Sequence, residues 1–572
     1  MTTESEKKKI LVIGAVAAGL KSAAKARRCD PQAQITVLEK GEMISYAACG
    51  MPYVVSKDIN SIQDLLTTPV GVARTPAFFK NTKNVEVRTR IEALSIDRTE
   101  KKVSVKDLTT GEKSEVPYDQ LVIATGASPV QLSLPGVDLG NIFQMWRPND
   151  AKAVRDLLEK GGVKNAVVMG AGLVGIEMAE AFHRWGVHTV VIEMQPQVFP
   201  AMLDLEIALA VEKYAREKGI EVRTNEKVTQ FIGTDVVQSV VTDKGSLSAD
   251  VVIQAVGVRP NVELAKMAGL DIGPSGAIAV NAYMRTSDPD IYAGGDCAEN
   301  THRITGKKMF TAMGSTANKH GRVIGDNLCG GKTRFGGILG TGVVKLLDLN
   351  IGKSGLTERE AKEAGYEYIT TMTTGHDRAH YMPSAKPITI KLIAEVKTRK
   401  ILGIQAFGQG EVAKRIDVVA SVMTFGGTID DLFDVDLSYA PPYNGPIDNA
   451  AVAANTLMNK IAGKFKGISP IEAKEKLASP GTVFLDVRTP DECKAIRLAD
   501  CRNVKYIPLG QLRTRLAELG KEDEIVAFCK ISLRGYEAEC ILEGEGFTDV
   551  KVIEGGVLAW PYACDNGEPS GK

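Results

Sequence analysis

The chain has no surplus of charge, no long apolar run and no paired cysteines, and each absence removes a class of function. Lys plus Arg and Asp plus Glu both total 70 in 572 residues, so no basic excess exists to hold a polyphosphate backbone by counterion release. Nucleic acid is not an expected partner. The longest apolar runs are strand-sized, short of the roughly 20 residues a membrane-spanning helix needs. The opening MTTESEKKKILVIG passes from polar residues into a short apolar strand, without the apolar core and small-residue cleavage site of a secretory signal. A cytoplasmic location is expected. Nine cysteines are scattered without metal-ligand spacing, so neither a disulfide framework nor a metal site is expected, and most thiols should be reduced.

What is present is a repeated nucleotide-binding pattern in a chain long enough for roughly three or four domains. KKKILVIGAVAAGLKSAAKARR reads as buried strand, glycine turn and small-residue helix, and QITVLEK supplies the next strand. Glycines at such a turn let backbone amides and the helix N-terminus approach a pyrophosphate. Here Gly14 and Gly19 flank Val16, so the motif is imperfect, but Glu39 ends the next strand where a carboxylate can accept hydrogen bonds from a ribose. The second copy, AVVMGAGLVGIEM, is complete with Gly170, Gly172 and Gly175, and Glu193 ends its following strand. An acid there, with no Arg after it in EMQPQ, suits the free 2′-hydroxyl of NADH better than the 2′-phosphate of NADPH. Two dinucleotides are implied.

These motifs, with Ala124-Thr125-Gly126 and Tyr292-Ala-Gly-Gly-Asp296, resemble those of the pyridine nucleotide-disulfide oxidoreductases. The resemblance implies that the first fold holds FAD through Gly14, Ala15, Gly19, Glu39, Lys40, Ala124 to Gly126, Gly295 and Asp296. The second would hold NADH through Gly170, Gly172, Gly175, Glu193 and Gly257. Many members carry two cysteines beside the flavin, but five positions after Cys49 stands Val54. A lone thiolate must form a mixed disulfide, a sulfenate or a persulfide for a two-electron step. Ser45-Tyr-Ala-Ala-Cys49-Gly-Met-Pro-Tyr is similar to the signature of the single-cysteine branch, which includes coenzyme A-disulfide reductases, NADH oxidases and peroxidases, and persulfide reductases. The His that oxidase and peroxidase members carry in the first glycine loop is Ala17 here, and the Asn often preceding the cysteine is Ala48.

Resemblance to the coenzyme A-using members implies further roles. Tyr381 and Tyr439, in a dimerisation domain, would reach the partner subunit's cysteine, where a phenol can protonate a leaving thiolate or hydrosulfide. Arg28 and Ser45 would contact coenzyme A, a guanidinium suiting its phosphates. From about Ile468 to Cys564, the segments VFLDVRTPDE, IVAFCKISLRGYEAECIL and VIEGGVLAW resemble a rhodanese domain. Cys529 would be its persulfide carrier, with Lys530 and Arg534 adding positive charge, although the usual loop glycine is Ser532 and the frequent G-H-I segment is replaced by Ala495-Ile-Arg-Leu498. Cys493, Cys501, Cys540 and Cys564 lack such a setting.

The expected architecture is α/β: two Rossmann-like dinucleotide-binding domains, an α+β dimerisation domain and a C-terminal rhodanese-like α/β domain. The expected spans are 1–150 and 256–333 for FAD, 151–255 for NAD, 334–464 for dimerisation and 465–572 for rhodanese. The expected activity is that of a homodimeric, FAD-dependent NADH:persulfide or polysulfide reductase, with coenzyme A persulfide or polysulfide as acceptor and Cys529 supplying sulfane sulfur. Coenzyme A-disulfide reduction, and a redox-sensing flavoprotein with a rhodanese docking module, are the alternatives.

Overall fold

The computed structural model describes residues 7–565; the first six of the polar opening residues lie outside them. Contacts divide the chain into two units, one of residues 1–192 and 226–338, the other of 193–225 and 339–572.

In the first unit the strands β1 (Lys9–Ile13), β2 (Gln34–Glu39), β3 (Glu86–Thr89) and β4 (Gln120–Ile123) are joined by Ile291–Ala293 in one sheet. Every neighbouring pair is parallel. A parallel sheet is covered on both faces, which is why its strands read as unbroken apolar runs rather than alternating ones. Its core holds Ile10, Leu11, Val12, Val37, Leu121 and Val122. Helix α1 (Ala18–Cys29) follows β1. The second copy repeats the order: β5 (Asn165–Met169), α3 (Leu173–Arg184) and β6 (His188–Ile192), with β5 also pairing in parallel with β7 (Val251–Gln254). The cysteine segment forms a one-turn 3-10 helix, Ala48–Gly50, running into α2 (Met51–Val55).

With β8 denoting Ile291–Ala293, helix α4 (Gly314–Asn327) completes the unit. A Cβ at Gly321 would lie 2.5 Å from the Ala18 carbonyl oxygen and one at Gly325 2.5 Å from that of Ser22. Glycines four apart therefore let α4 cross α1 at backbone distance, which fixes where α4 begins.

The second unit has an antiparallel sheet, β9 (Gly342–Leu346), β10 (Leu349–Gly355), β11 (Tyr368–His376), β12 (Pro387–Glu395) and β13 (Ile401–Gly408), in the order β9-β10-β13-β12-β11. Helices α5 (Val412–Thr424) and α6 (Asn449–Ile461) belong to it. Residues 193–225 group with this sheet. A buried ion cluster is among the links: Lys391 of β12, 1 % exposed, meets Asp204 at 2.9 Å and also pairs with Glu206 and Glu358. Glu206 lies in the helix Leu205–Glu217. Removing Lys391 would cost about 3–5 kcal/mol, because buried carboxylates would be left without their counter-charge.

The C-terminal part is a parallel five-stranded sheet, β14 (Gly467–Ile468), β15 (Thr482–Asp486), β16 (Val504–Tyr506), β17 (Glu524–Phe528) and β18 (Val550–Ile553), ordered β14-β18-β17-β15-β16. It carries α7 (Pro490–Ala495) and α8 (Leu533–Gly544). Side chains alternate across β17: Ile525 and Ala527 enter one core with Cys529, Val526 and Phe528 the other.

Candidate active site

Both glycine turns are built alike. Gly14 (φ +108°) and Gly170 (φ +98°) adopt a conformation side chains resist, and a Cβ would lie 2.1 Å from the Ala124 oxygen or 2.4 Å from that of Ala255. At Gly19 and Gly175 a Cβ would come within 1.8 and 1.9 Å of the oxygens of Gly14 and Gly170. Gly172 differs, having no atom within 4 Å of its would-be Cβ. The outer glycines serve the protein and the middle one leaves room for a ligand, which is why the first copy folds with Val16 there. Neither α1 nor α3 has a side-chain cap, so no side chain competes with an anion for their N-termini.

An acid follows the second strand of each copy, Glu39 at the end of β2 and Glu193 after β6. Glu39 accepts the Ala15 and Gly41 amides, both at 2.8 Å; Glu193 accepts the Gln195 amide at 2.8 Å. Lys40 instead pairs with Glu92 at 2.7 Å. Thr125 and Asn261 exchange two hydrogen bonds of 2.8 Å, and the Gly257 carbonyl accepts the Val130 amide at 3.0 Å, so Ala124 to Gly126 and Gly257 line one crossing. Asp296 follows β8, and burial lifts its carboxyl to about 6 against a hydrogen bond from the Met313 amide. The Gly295 amide donates to His320 Nδ1 at 3.2 Å, and burial holds His320 neutral, near 4. Glycine turns, uncapped helices and strand-end acids fit an adenine dinucleotide at each copy.

Cys49 is exposed. A Cβ at Gly314, where α4 begins, would lie 4.0 Å from its Sγ, so the thiol stands at a helix N-terminus. Its pKa is nonetheless raised: desolvation is the larger cause, followed by the charges of Glu177 and Asp296. Glu177, in α3, is itself lifted to about 7 by burial and accepts a 3.4 Å hydrogen bond from the Tyr53 hydroxyl, which is pushed to about 12. Glu177 and Tyr53 escaped the sequence reading. The available signal was that Glu177 lies two residues past Gly175 and Tyr53 closes the cysteine signature.

The residues expected at coenzyme A are set apart in kind. Arg27 spends its guanidinium on the carbonyls of Asp30, Pro31, Ala33 and Asn84, whereas Arg28 is exposed. Ser45 has φ +53°, its carbonyl accepting from Arg74 at 3.0 Å and its amide donating to Ala15 at 2.8 Å.

Tyr381 and Tyr439, in the second unit, are 63 % and 50 % exposed. Their loops are tied together: Arg378 donates to the Pro442 carbonyl at 3.1 Å while paired with Asp377 at 2.8 Å. Buried Arg415 bonds the Asp377 carbonyl at 2.6 Å, Asn444 at 2.9 Å and Asp448 at 3.0 Å.

Cys529 ends β17 and is fully buried. Its carbonyl accepts the Val557 amide at 2.9 Å and that of Lys530 accepts the Leu558 amide at 3.1 Å, fastening the loop to the VIEGGVLAW segment. Ser532 takes φ +82° and does not cap α8, leaving that N-terminus open beside the thiol. Arg534 faces Cys529 but is held first by Glu492, through bonds of 2.8 and 2.7 Å. The positive charge expected around the sulfur is thus partly cancelled. Cys493 donates to Asp486 at 3.3 Å and is pushed to about 12, as burial pushes Cys501; Cys564 is also raised and Cys540 is exposed.

Two glycine-turn cradles, with Glu177 and Asp296 both near the exposed Cys49 thiol, are the frame of a two-nucleotide oxidoreductase. Residues 8–322 match the pyridine nucleotide-disulphide oxidoreductases, 342–451 their dimerisation domain and 469–562 the rhodanese-like domain. The chain belongs to the pyridine nucleotide-disulphide oxidoreductase family, whose members depend on FAD and a nicotinamide nucleotide, and carries a fused rhodanese-like domain. It is 38 % identical to the CoA-dependent NAD(P)H sulfur oxidoreductase of Pyrococcus abyssi over 79 % of this chain and 98 % of that one. The NAD-dependent persulfide reductase from A. fulgidus is 43 % identical, with a TM-score of 0.92 over 96 % of this chain and all of that one. Reduced CoADR-RHD of Bacillus anthracis is 32 % identical, with a TM-score of 0.90 over 97 % and 98 %. Among the described residues no helix is long and apolar enough to cross a membrane.

Proposed function

We propose that the chain is an FAD-dependent NADH:persulfide or polysulfide reductase that releases hydrosulfide, with coenzyme A persulfide or polysulfide as acceptor. The observation that carries this is an exposed thiol, Cys49, set at the start of α4 near Glu177 and Asp296, in a chain that also holds a buried thiol, Cys529, in a rhodanese-like domain. FAD would be held by Gly14, Ala15, Gly19, Glu39, Ala124 to Gly126, Gly295 and Asp296, and NADH by Gly170, Gly172, Gly175, Glu193 and Gly257. When bound, they supply a hydride and, from it, two electrons that reach sulfur at Cys49.

The Cys49 thiolate attacks the sulfur–sulfur bond of the acceptor; hydrosulfide or a thiolate leaves, and Cys49 is left as a mixed disulfide or persulfide. Two electrons and a proton return it to thiol and release the second product. Tyr381 and Tyr439 donate protons to the departing sulfur, acting on the partner subunit's cysteine in a homodimer. Arg28 and Ser45 contact coenzyme A. Cys529, with Arg534 beside it, takes up sulfane sulfur and supplies it as a persulfide. The division into 1–150 with 256–333, 151–255, 334–464 and 465–572, and a cytoplasmic setting, belong to the same reading.

Similarity to CoADR-RHD over nearly the whole chain supports a second reading, reduction of coenzyme A disulfide. Anaerobic turnover on coenzyme A persulfide and coenzyme A disulfide, with hydrosulfide measured directly, decides between them. Faster turnover on the disulfide overturns the proposal.

A further inference from the structure

We infer that Glu492 sets which sulfur donors Cys529 accepts: by clamping Arg534 it keeps the pocket's positive charge low, favouring monoanionic persulfides over the thiosulfate dianion. This rests on the reading of Cys529 as a sulfur carrier and adds a specificity-determining residue to it.

The charges near the thiol are few. Lys530 is exposed, so solvent screens its charge. Arg534 spends both terminal nitrogens on the two oxygens of Glu492, at 2.8 and 2.7 Å, the bidentate geometry in which a guanidinium is best satisfied. The neighbouring pair, Arg488 with Asp486 at 2.9 and 2.7 Å, is buried and further engaged by the Glu492 carbonyl and the Cys493 thiol. Glu492 is not free to swing away. It lies in the first turn of α7, accepting the Thr489 amide and hydroxyl at 3.0 Å each, while its own amide donates to the Thr489 hydroxyl at 3.4 Å. That reciprocal cap locks the carboxylate in front of Arg534. What remains unengaged by side chains is the N-terminus of α8, which Ser532 does not cap, a partial charge suited to one negative sulfur.

The chemistry separates donors by charge. With a persulfide, the Cys529 thiolate attacks the outer sulfur of R–S–S⁻, the sulfur–sulfur bond breaks and R–S⁻ leaves, giving Cys529–S–S⁻. With thiosulfate the same bond changes occur and sulfite leaves with two charges. Both steps balance without an added oxidant or reductant. The thiosulfate encounter, however, brings one more negative charge to the thiolate, and the guanidinium that would meet it is already taken.

The test uses the full-length holoenzyme with cyanide as sulfur acceptor and two donors, thiosulfate and 2-hydroxyethyl persulfide. Glu492→Gln keeps an oxygen for the Thr489 cap but releases Arg534. It should raise kcat/KM for thiosulfate about tenfold, the scale of one partly screened charge, through KM and with loss of the gain at high salt. The persulfide value should stay within about twofold on the same charge argument. Thr489→Ala, which loosens the cap and keeps the charge, should give no gain, and Glu492→Ala, a second neutral variant, should reproduce it. Unchanged thiosulfate kinetics in both neutral variants, or a parallel fall for both donors, would overturn the inference. Cys529→Ser retaining wild-type transfer would instead remove the carrier reading beneath it.

Discussion

Cys49 and Cys529 both stand at the N-terminus of a helix without a side-chain cap, α4 after Met313 and α8 after Ser532, yet their surroundings are opposite. Cys49 is exposed, with Glu177 and Asp296 raising its pKa along with desolvation. Cys529 is buried, with Arg534 beside it and Lys530 next in the loop. A helix terminus alone therefore does not define a thiol's task; the charges added to it do. Burial and the two acids raise the Cys49 thiol, whereas the one guanidinium facing Cys529 is balanced by Glu492, so the open start of α8 is the remaining partial positive charge there.

The largest effect expected is from Cys49→Ser, which should lower hydrosulfide release from a small persulfide at least ~10³-fold, because no second thiol takes over the nucleophile's role. Cys529→Ser should reduce it only several-fold while ending sulfur transfer to cyanide. Steady-state assays of both variants break the comparison if the losses are equal. Next are Tyr381→Phe and Tyr439→Phe: loss of a proton donor should cost about 10²-fold in kcat, with little change in KM, and an unchanged kcat in both would make the tyrosines interface residues only. Glu193 should give NADH a kcat/KM at least about tenfold above that of NADPH, as a carboxylate repels the 2′-phosphate; equal values contradict the assignment.

The smallest effect sharpens the contrast electrostatically. Glu177 is raised from 4.5 to about 7 in the folded chain, so its contribution to stability is complete below pH 4.5 and lost as pH rises through about 7. Glu177→Gln should flatten the fall in Tm over that interval and shift the pH profile of Cys49 alkylation downward. An unmoved alkylation profile would show that Glu177 does not govern the thiol.

The dinucleotide cradles were legible in the sequence because their geometry is local: Gly14 with Gly19, and Gly170 with Gly175, meet each other within five residues. Asp296 and the two thiols were legible through motifs spanning a single turn. What was hidden depends on packing between distant segments. Tyr53 meets Glu177 across 124 residues and Glu492 meets Arg534 across 42, and neither pairing leaves a periodic trace. Lys391 likewise meets Asp204 and Glu206 from far along the chain, with Glu358 beside them, and no strand or helix period signals it.

The central claim is that Cys529 carries sulfane sulfur but electrons reach sulfur only through Cys49. Its most direct test is to load the Cys49→Ser holoenzyme anaerobically with a small persulfide, add NADH, and follow flavin absorbance together with the mass of the Cys529 peptide. The account predicts that the flavin bleaches while the Cys529 peptide keeps its added sulfur atom and no hydrosulfide appears. Loss of that sulfur as hydrosulfide on adding NADH would contradict it.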